Sequence, residues 1–302
     1  MAGPESSVAY LKSMSLTSPE FLQKLESLHL LARKVLGGSL QADRRSIKKG
    51  SGITFADYAE YNPGDDYRAI DWRVFARFET LLIKLFELEE DATIYLLVDT
   101  SPSMQAKAQQ ARELAAALGY IALNTHDRLA TYALADTLKP LLEPTRGKAK
   151  LFPFLRALET APTFGSATDF TACCRQFQAR HRRRGVVIVI SDFLFPGGFD
   201  DGLSFLQWHN HDVFCLQSLA AEDLKWDYTG DCDLTCVESG EGRRLTITPA
   251  DVKRFEEAVT EWNDSLVRSC KKRGIGLAST LNDVPSDWVV RDILKRGGLV
   301  AS

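Results

Sequence analysis

The chain has 302 residues, 45% of them hydrophobic and 25% charged, which allows one large domain or two ordinary ones around a packed core. A net charge of −3 argues against a general nucleic-acid binder, and no apolar run approaches the roughly 18–20 residues that span a bilayer. Six cysteines in a chain this long make no disulfide scaffold, and neither Cys173-Cys174 nor Cys232 and Cys236 have zinc-knuckle spacing, so buried reduced thiols are expected.

The first residues show no basic patch with an apolar segment behind it, so no secretory signal is expected and a cytoplasmic setting is. Residues 1–17 read as a loose leader. Ser18-Pro19-Glu20 opens a helix, with Ser18 as cap and proline in the first turn. Phe21, Leu22, Leu25, Leu28, Leu31, Ala32 and Val35 recur at helical spacing until Gly37-Gly38. Beyond them Arg44, Arg45, Lys48 and Lys49 read as a solvated basic face. Gly50-Ser51-Gly52 punctuates a hairpin or irregular β segment.

Tyr61-Asn62-Pro63-Gly64-Asp65-Asp66-Tyr67-Arg68-Ala69-Ile70-Asp71-Trp72 opens on turn chemistry. Asp65, Asp66 and Asp71 surround Arg68, whose fork would lock the loop by pairing with a carboxylate. The loop is then either a structural brace or a docking surface. Residues 81–89 read as a strand leading into the next one, residues 91–98. That second run is apolar without alternation, as in a parallel strand covered on both faces.

Its end changes chemistry at once: Asp99, Ser101 and Ser103 follow at spacing two. Open α/β sheets bind ligands just past the C-terminal ends of their strands. Hard oxygen groups of this kind suit Mg²⁺, Mn²⁺ or Ca²⁺ rather than zinc. The plain alternative is a turn in which Ser103 caps the following helix, residues 105–124, whose Leu114, Leu118 and Ile121 share one face. Residues 128–134 and 138–142 form a hairpin about Asp136-Thr137, placing an antiparallel strand at the sheet edge. Residues 149–159 read as an amphipathic helix.

A second polar loop, Gly165-Ser166-Ala167-Thr168-Asp169-Phe170, precedes a helix with Cys173, Phe177 and Arg180. The run from Arg180 to Arg184 complements that helix's dipole and is expected at the opposite edge of the sheet from Asp99. Gly185 to Ile190 is another apolar strand, and Asp192 after it takes the position that Asp99 takes on its own strand. A helix at 200–210 and a strand at 212–219 follow, then two short strands, 230–237 and 243–248, about a hairpin turn. A long helix opens at Pro249, carries Phe255, Val259, Trp262 and Leu266, and ends near Gly274. A strand at 275–280 and a helix at 286–296, with Trp288, Val289, Ile293 and Leu294 for docking, close the chain. The expected fold is α/β: a doubly wound, mostly parallel, Rossmann-like sheet over 91–302 with a β-hairpin insertion near 228–248. An N-terminal helix with a β/loop extension, 18–90, precedes it.

Pro63-Gly64-Asp65-Asp66-x-Arg68-x-Ile70-Asp71-Trp72, then Ala76-Arg77, then Lys84-x-Phe86-x-x-Glu89, then a strand ending Asp99-x-Ser101-x-Ser103, resembles the bacterial domain-of-unknown-function fifty-eight family, whose members are von Willebrand factor A-like. The resemblance spans roughly residues 20–300. It implies a metal-ion-dependent adhesion site. Hydroxyls of Ser101, Ser103 and Thr168 would ligate Mg²⁺, or Mn²⁺ or Ca²⁺, while Asp99 and Asp192 act largely through bound waters. Read without the resemblance, Thr168 is a helix cap. The resemblance also implies a partner class, MoxR-type AAA+ ATPases, beside which such proteins tend to be encoded and for which they are thought to be adaptors. The function expected is therefore a non-enzymatic module that binds a partner's Asp or Glu through the metal.

The alternative is a metal-dependent hydrolase on the same site. It lacks a visible base: none of the five histidines adjoins the three loops, and Asp169, their only spare carboxylate, reads as a cap. No phosphate loop of the G-x-x-x-x-G-K-[S/T] kind is present, so the chain does not read as an NTPase.

Overall fold

The structure is a computed structural model that describes residues 15–36, 45–49, 54–89, 93–161, 168–236 and 242–295. The glycine pairs and turns expected at 37–38, 50–52 and 237–241 lie outside them. Two compact units emerge: residues 1–31 together with 93–302, and residues 32–92.

Helix α1, Pro19–Leu36, starts where Ser18 Oγ accepts the amide of Phe21 at 3.3 Å. Phe21, Leu25 and Leu28 form its buried stripe. As far as residue 31 this helix belongs with the larger unit rather than with the extension that follows it in sequence.

In the smaller unit, strands β1 (Arg45–Lys49), β2 (Thr54–Glu60) and β3 (Leu82–Glu89) make an antiparallel sheet ordered β1-β3-β2. The strand expected to lead into the main sheet is instead the centre of this small one. Helix α2, Trp72–Phe78, was not legible as a helix from its mixed aromatic and basic composition. Asp71 nucleates it by accepting the amide of Arg73, and Glu79 ends it in the left-handed region at φ 55°.

The larger unit runs β4 (Thr93–Asp99), α3 (Ala108–Asn124), β5 (Arg128–Leu134), β6 (Lys139–Arg146), α4 (Leu151–Glu159), α5 (Phe170–Arg180), β7 (Val186–Ser191), α6 (Asp200–Gln207) and β8 (Asp212–Leu219). It continues with α7 (Ala221–Leu224), β9 (Gly230–Thr235), β10 (Gly242–Ile247), α8 (Pro249–Arg273), β11 (Gly276–Leu281) and α9 (Ser286–Lys295). Six strands form one sheet ordered β11-β8-β7-β4-β5-β6, parallel throughout except for β6 at its edge. Strands β9 and β10 pair only with each other, as the expected insertion.

The apolar strands are covered on both faces, as their lack of alternation requires. On one face Tyr95, Leu97, Val187 and Val189 pack with Cys173, Cys174 and Phe177 of α5, Leu203 and Leu206 of α6, and Leu266 and Cys270 of α8. On the other, α3 packs against the sheet, α4 and α9. Val289, Ile293 and Leu294 of α9 are buried, whereas Trp288, expected to dock beside them, is 71% exposed. The helix expected from 105 begins as a tighter 3₁₀ turn, Pro102–Lys107, before α3. The arginines of 180–184 lead into the N-terminal end of β7, the neighbour of β4, so they lie at the opposite end of the strands from Asp99 and not at the opposite edge of the sheet. Among the described residues no helix is long and apolar enough to cross a membrane.

The close approach of β7 to β4 depends on one residue. A methyl group on Gly185 would lie 2.3 Å from the carbonyl oxygen of Thr93 and 2.8 Å from the Tyr95 ring. Gly185→Ala is expected to lower stability by about 1–3 kcal/mol. Urea unfolding checks this, and an unchanged midpoint would contradict the packing described.

Candidate metal centre

The sheet order reverses beside β4: the chain passes from β4 to β5 on one side, and β7 lies on the other. The loops after β4 and β7 therefore diverge and leave a crevice at the C-terminal strand ends. Asp99, the last residue of β4, is buried there. Its Oδ1 accepts the amide of Ser101 at 2.9 Å and its Oδ2 accepts the hydroxyl of Ser191 at 2.6 Å. Thr100 fastens the loop to β5, donating its amide and its hydroxyl to the Leu134 carbonyl at 3.1 and 3.0 Å. Held this way, the loop brings Ser101 Oγ and Ser103 Oγ to 2.9 Å from each other. The residue at the helix cap is Ser101 rather than Ser103, and Ser101 makes no side-chain capping bond.

Asp169 caps α5, accepting the amide of Ala172 at 2.8 Å. Thr168 is thus not the cap, and its Oγ1 is buried with no hydrogen-bond partner among the described residues. Phe170 stacks on Phe195 at 4.6 Å, seating the start of α5 on the segment that follows β7. Gly165, Ser166 and Ala167 lie outside the described residues.

Asp192 follows β7 and is buried. Its Oδ1 accepts the amide of Leu194 at 3.0 Å, and its Oδ2 accepts the ammonium of Lys107 at 2.7 Å. The same ammonium donates to Asp223 Oδ2 of α7, also at 2.7 Å. Lys107 is only 1% exposed. Sequence reasoning missed Lys107, Ser191 and Asp223. The signal for Lys107 was its phase: it stands four and seven residues before Ala111 and Leu114, on the apolar stripe of the helix. Asp223 comes from α7, the short helix after β8, and had no such mark.

Electrostatics follow the burial. Desolvation first, then the charge of Asp192, push the Asp99 carboxyl up to about 6, against the bonds from Ser191 and Ser101. Burial opposes the charge on Lys107, yet Asp192 and Asp223 together hold its pKa above the ordinary lysine value. Among the described residues no group of three or more His, Cys, Asp and Glu is placed to hold a metal. The available donors are instead hydroxyls with two carboxylates behind them, and one buried hydroxyl is orphaned. That set fits a hard cation.

A family model described as "Protein of unknown function DUF58" matches residues 57–264. This chain belongs to that family. An uncharacterized protein of Mycobacterium tuberculosis is 27% identical over 285 residues, spanning 92% of this chain and 89% of its own. Among solved structures, BatB from Bacteroides thetaiotaomicron is similar with a TM-score of 0.42 and 13% identity, over 68% of this chain and 98% of that one. Proximal thread matrix protein 1 from the mussel byssus, in a form described as having a zinc-occupied MIDAS motif, scores 0.40 at 10% identity, over 68% of this chain and 46% of that one. The fold assignment rests on the sheet order itself.

The DUF58 motif loop in the smaller unit is built from local bonds. Gly64 takes φ 112° in the turn after Pro63. Asp65 Oδ2 accepts the amide of Asn62 at 3.0 Å, and Asp66 Oδ1 accepts the amide of Arg68 at 3.0 Å. Asp71 is bound by Lys84 Nζ at 3.0 Å and Tyr58 Oη at 2.9 Å. The lock is therefore Lys84, not Arg68, whose guanidinium lies over the Tyr67 ring at 5.9 Å. Register explains it: the bridge between Ile70 and Ile83 sets Asp71 beside Lys84. Trp72 is exposed and meets Phe75 edge to face at 6.1 Å.

The Lys84 bond, with help from Tyr58 and the Arg73 amide and against desolvation, holds Asp71 down at about 2. An unfolded aspartate titrates near about 3.9, so the stabilisation is complete above that pH and is lost as the pH falls toward 2. Hydrogen-exchange protection in β2 and β3 is expected to fall across this window in the wild type. Asp71→Asn should lack that fall, and Arg68→Ala should keep it. An identical acid profile in Asp71→Asn would refute the pairing.

Proposed function

We propose that this DUF58 protein is a non-enzymatic interaction module that takes a partner's Asp or Glu carboxylate at a metal held by Ser101, Ser103 and Thr168, with Asp99 and Asp192 behind them. The observation that supports it most is the Thr168 hydroxyl, buried with no hydrogen-bond partner among the described residues. Leaving such a group unsatisfied costs about 1–3 kcal/mol, which a cation ligand would relieve. When bound, a Mg²⁺ or Mn²⁺ ion supplies an open coordination position for an incoming carboxylate. Ser101, Ser103 and Thr168 are neutral donors and leave most of the ion's charge for that carboxylate. Asp99 and Ser191 hold the first loop in shape, and Asp169 holds the second by capping α5.

A hydrolase would need a general base at this place. Asp169 is engaged as a cap and Asp192 is paired with Lys107, which favours binding over turnover. The partner class, a MoxR-type AAA+ ATPase, comes from the family resemblance, and a cytoplasmic setting belongs to the same proposal.

Thr168→Val tests the site with little structural disturbance, because Thr168 Oγ1 makes no hydrogen bond among the described residues to lose. Metal-free melting should be unchanged. The wild type should gain about 2.7 kcal/mol at a Mg²⁺ concentration of about 100 times the dissociation constant, and the variant should lose that gain. An equal Mg²⁺ response in Thr168→Val sinks the ligand assignment. Pull-down of a AAA+ ATPase should depend on Mg²⁺ in the wild type and fail in the variant.

A further inference from the structure

The three loops expected to hold a cation contain no cation of their own, yet the folded site has one. Lys107 is the last residue of the 3₁₀ turn that follows the Asp99 loop, and its side chain is almost wholly enclosed. Its ammonium stands 2.7 Å from Asp192 Oδ2 and 2.7 Å from Asp223 Oδ2. Asp223 is itself anchored, since the same Oδ2 accepts the amide of Ala220 at 2.8 Å. Burying an ammonium this deeply is expensive unless charge and hydrogen bonds compensate it, and here two carboxylates do so. One of them, Asp192, is the carboxylate that the metal reading needs. The other, Asp223, belongs to α7, the short helix after β8, and is 22% exposed.

We propose that Lys107 is a tethered counter-cation of the metal centre: its ammonium and a divalent ion compete for Asp192, and Asp223 retains the ammonium when Asp192 turns to the metal. This rests on the metal reading and adds a control to it. Asp99, Asp192 and Asp223 bring three negative charges, and Lys107 returns one positive charge. A divalent ion entering beside Asp192 therefore meets a positive charge a few ångströms away, in surroundings where Coulomb energies are weakly screened. The protein accordingly folds with Asp192 neutralised before any metal arrives, and the same lysine sets how weakly the metal is held. Because Asp223 lies in α7, occupancy of the metal site is felt at that short helix through one side chain.

Mg²⁺ titration calorimetry on the full-length, metal-stripped protein tests this through affinity. Lys107→Met keeps the side-chain length and removes the charge, and should bind Mg²⁺ at least about tenfold more tightly than the wild type, a difference of about 1.4 kcal/mol. Its metal-free melting temperature should fall and should recover on adding Mg²⁺, because the ion replaces the missing ammonium. Lys107→Arg, which keeps the charge, should stay near the wild-type affinity. Asp223→Asn leaves the ammonium to Asp192 alone and should weaken Mg²⁺ binding. Wild-type binding with equal or weaker affinity in Lys107→Met overturns the counter-cation and leaves the metal reading standing. No Mg²⁺ binding by the wild type or by Lys107→Met overturns both. If Lys107→Met folds in neither condition, Asp223→Asn decides: weaker binding supports the proposal, and equal or tighter binding overturns it.

Discussion

Two aspartates buried side by side at the reversal point of one parallel sheet govern the chemistry around them. Like charges out of water repel and are poorly solvated, so each carboxylate must be compensated locally. Asp99 is met by an amide and a hydroxyl, Asp192 by an amide and an ammonium. These bonds define the loop after β4, the first residues after β7 and the turn that precedes α3. The hydroxyls of Ser101 and Ser103 converge as a consequence of how Asp99 is satisfied.

The same compensation is what favours the proposed binding role over catalysis. A carboxylate that is already bonded on both oxygens is a poor general base, and Asp99 and Asp192 are both in that position. The groups with spare capacity are neutral hydroxyls, above all that of Thr168. Histidines are spent elsewhere: His181 meets Tyr132 at 2.9 Å within an aromatic cluster with Tyr95, Phe177 and His211 in the larger unit. Burial drives the pKa of His181 down to about 4, which suits a neutral packing residue.

Much of this was legible in the sequence. Apolar runs without alternation marked β4 and β7 because parallel strands are covered on both faces, and the abrupt polar residues at their ends marked the crevice. The edge hairpin was legible from Asp136-Thr137. What failed to show were contacts set by tertiary geometry. A lysine on an apolar helical stripe reads as an anomaly, and nothing in the sequence pairs it with an aspartate 85 residues later and another 116 residues later. Nothing in the sequence marked Ser191, whose hydroxyl donates to Asp99 across 92 residues. In the smaller unit proximity in sequence misled: Arg68 has three aspartates close by, yet strand register delivers Lys84 to Asp71. Helix α2 is short and held by its caps, and its composition carries no clear helical period.

The most direct measurement is an anomalous-diffraction map from crystals grown with Mn²⁺. A manganese peak bounded by the oxygens of Ser101, Ser103 and Thr168, with Asp99 and Asp192 behind them, is the result this account predicts. A map in which manganese occupies other carboxylates while that crevice holds none would contradict it.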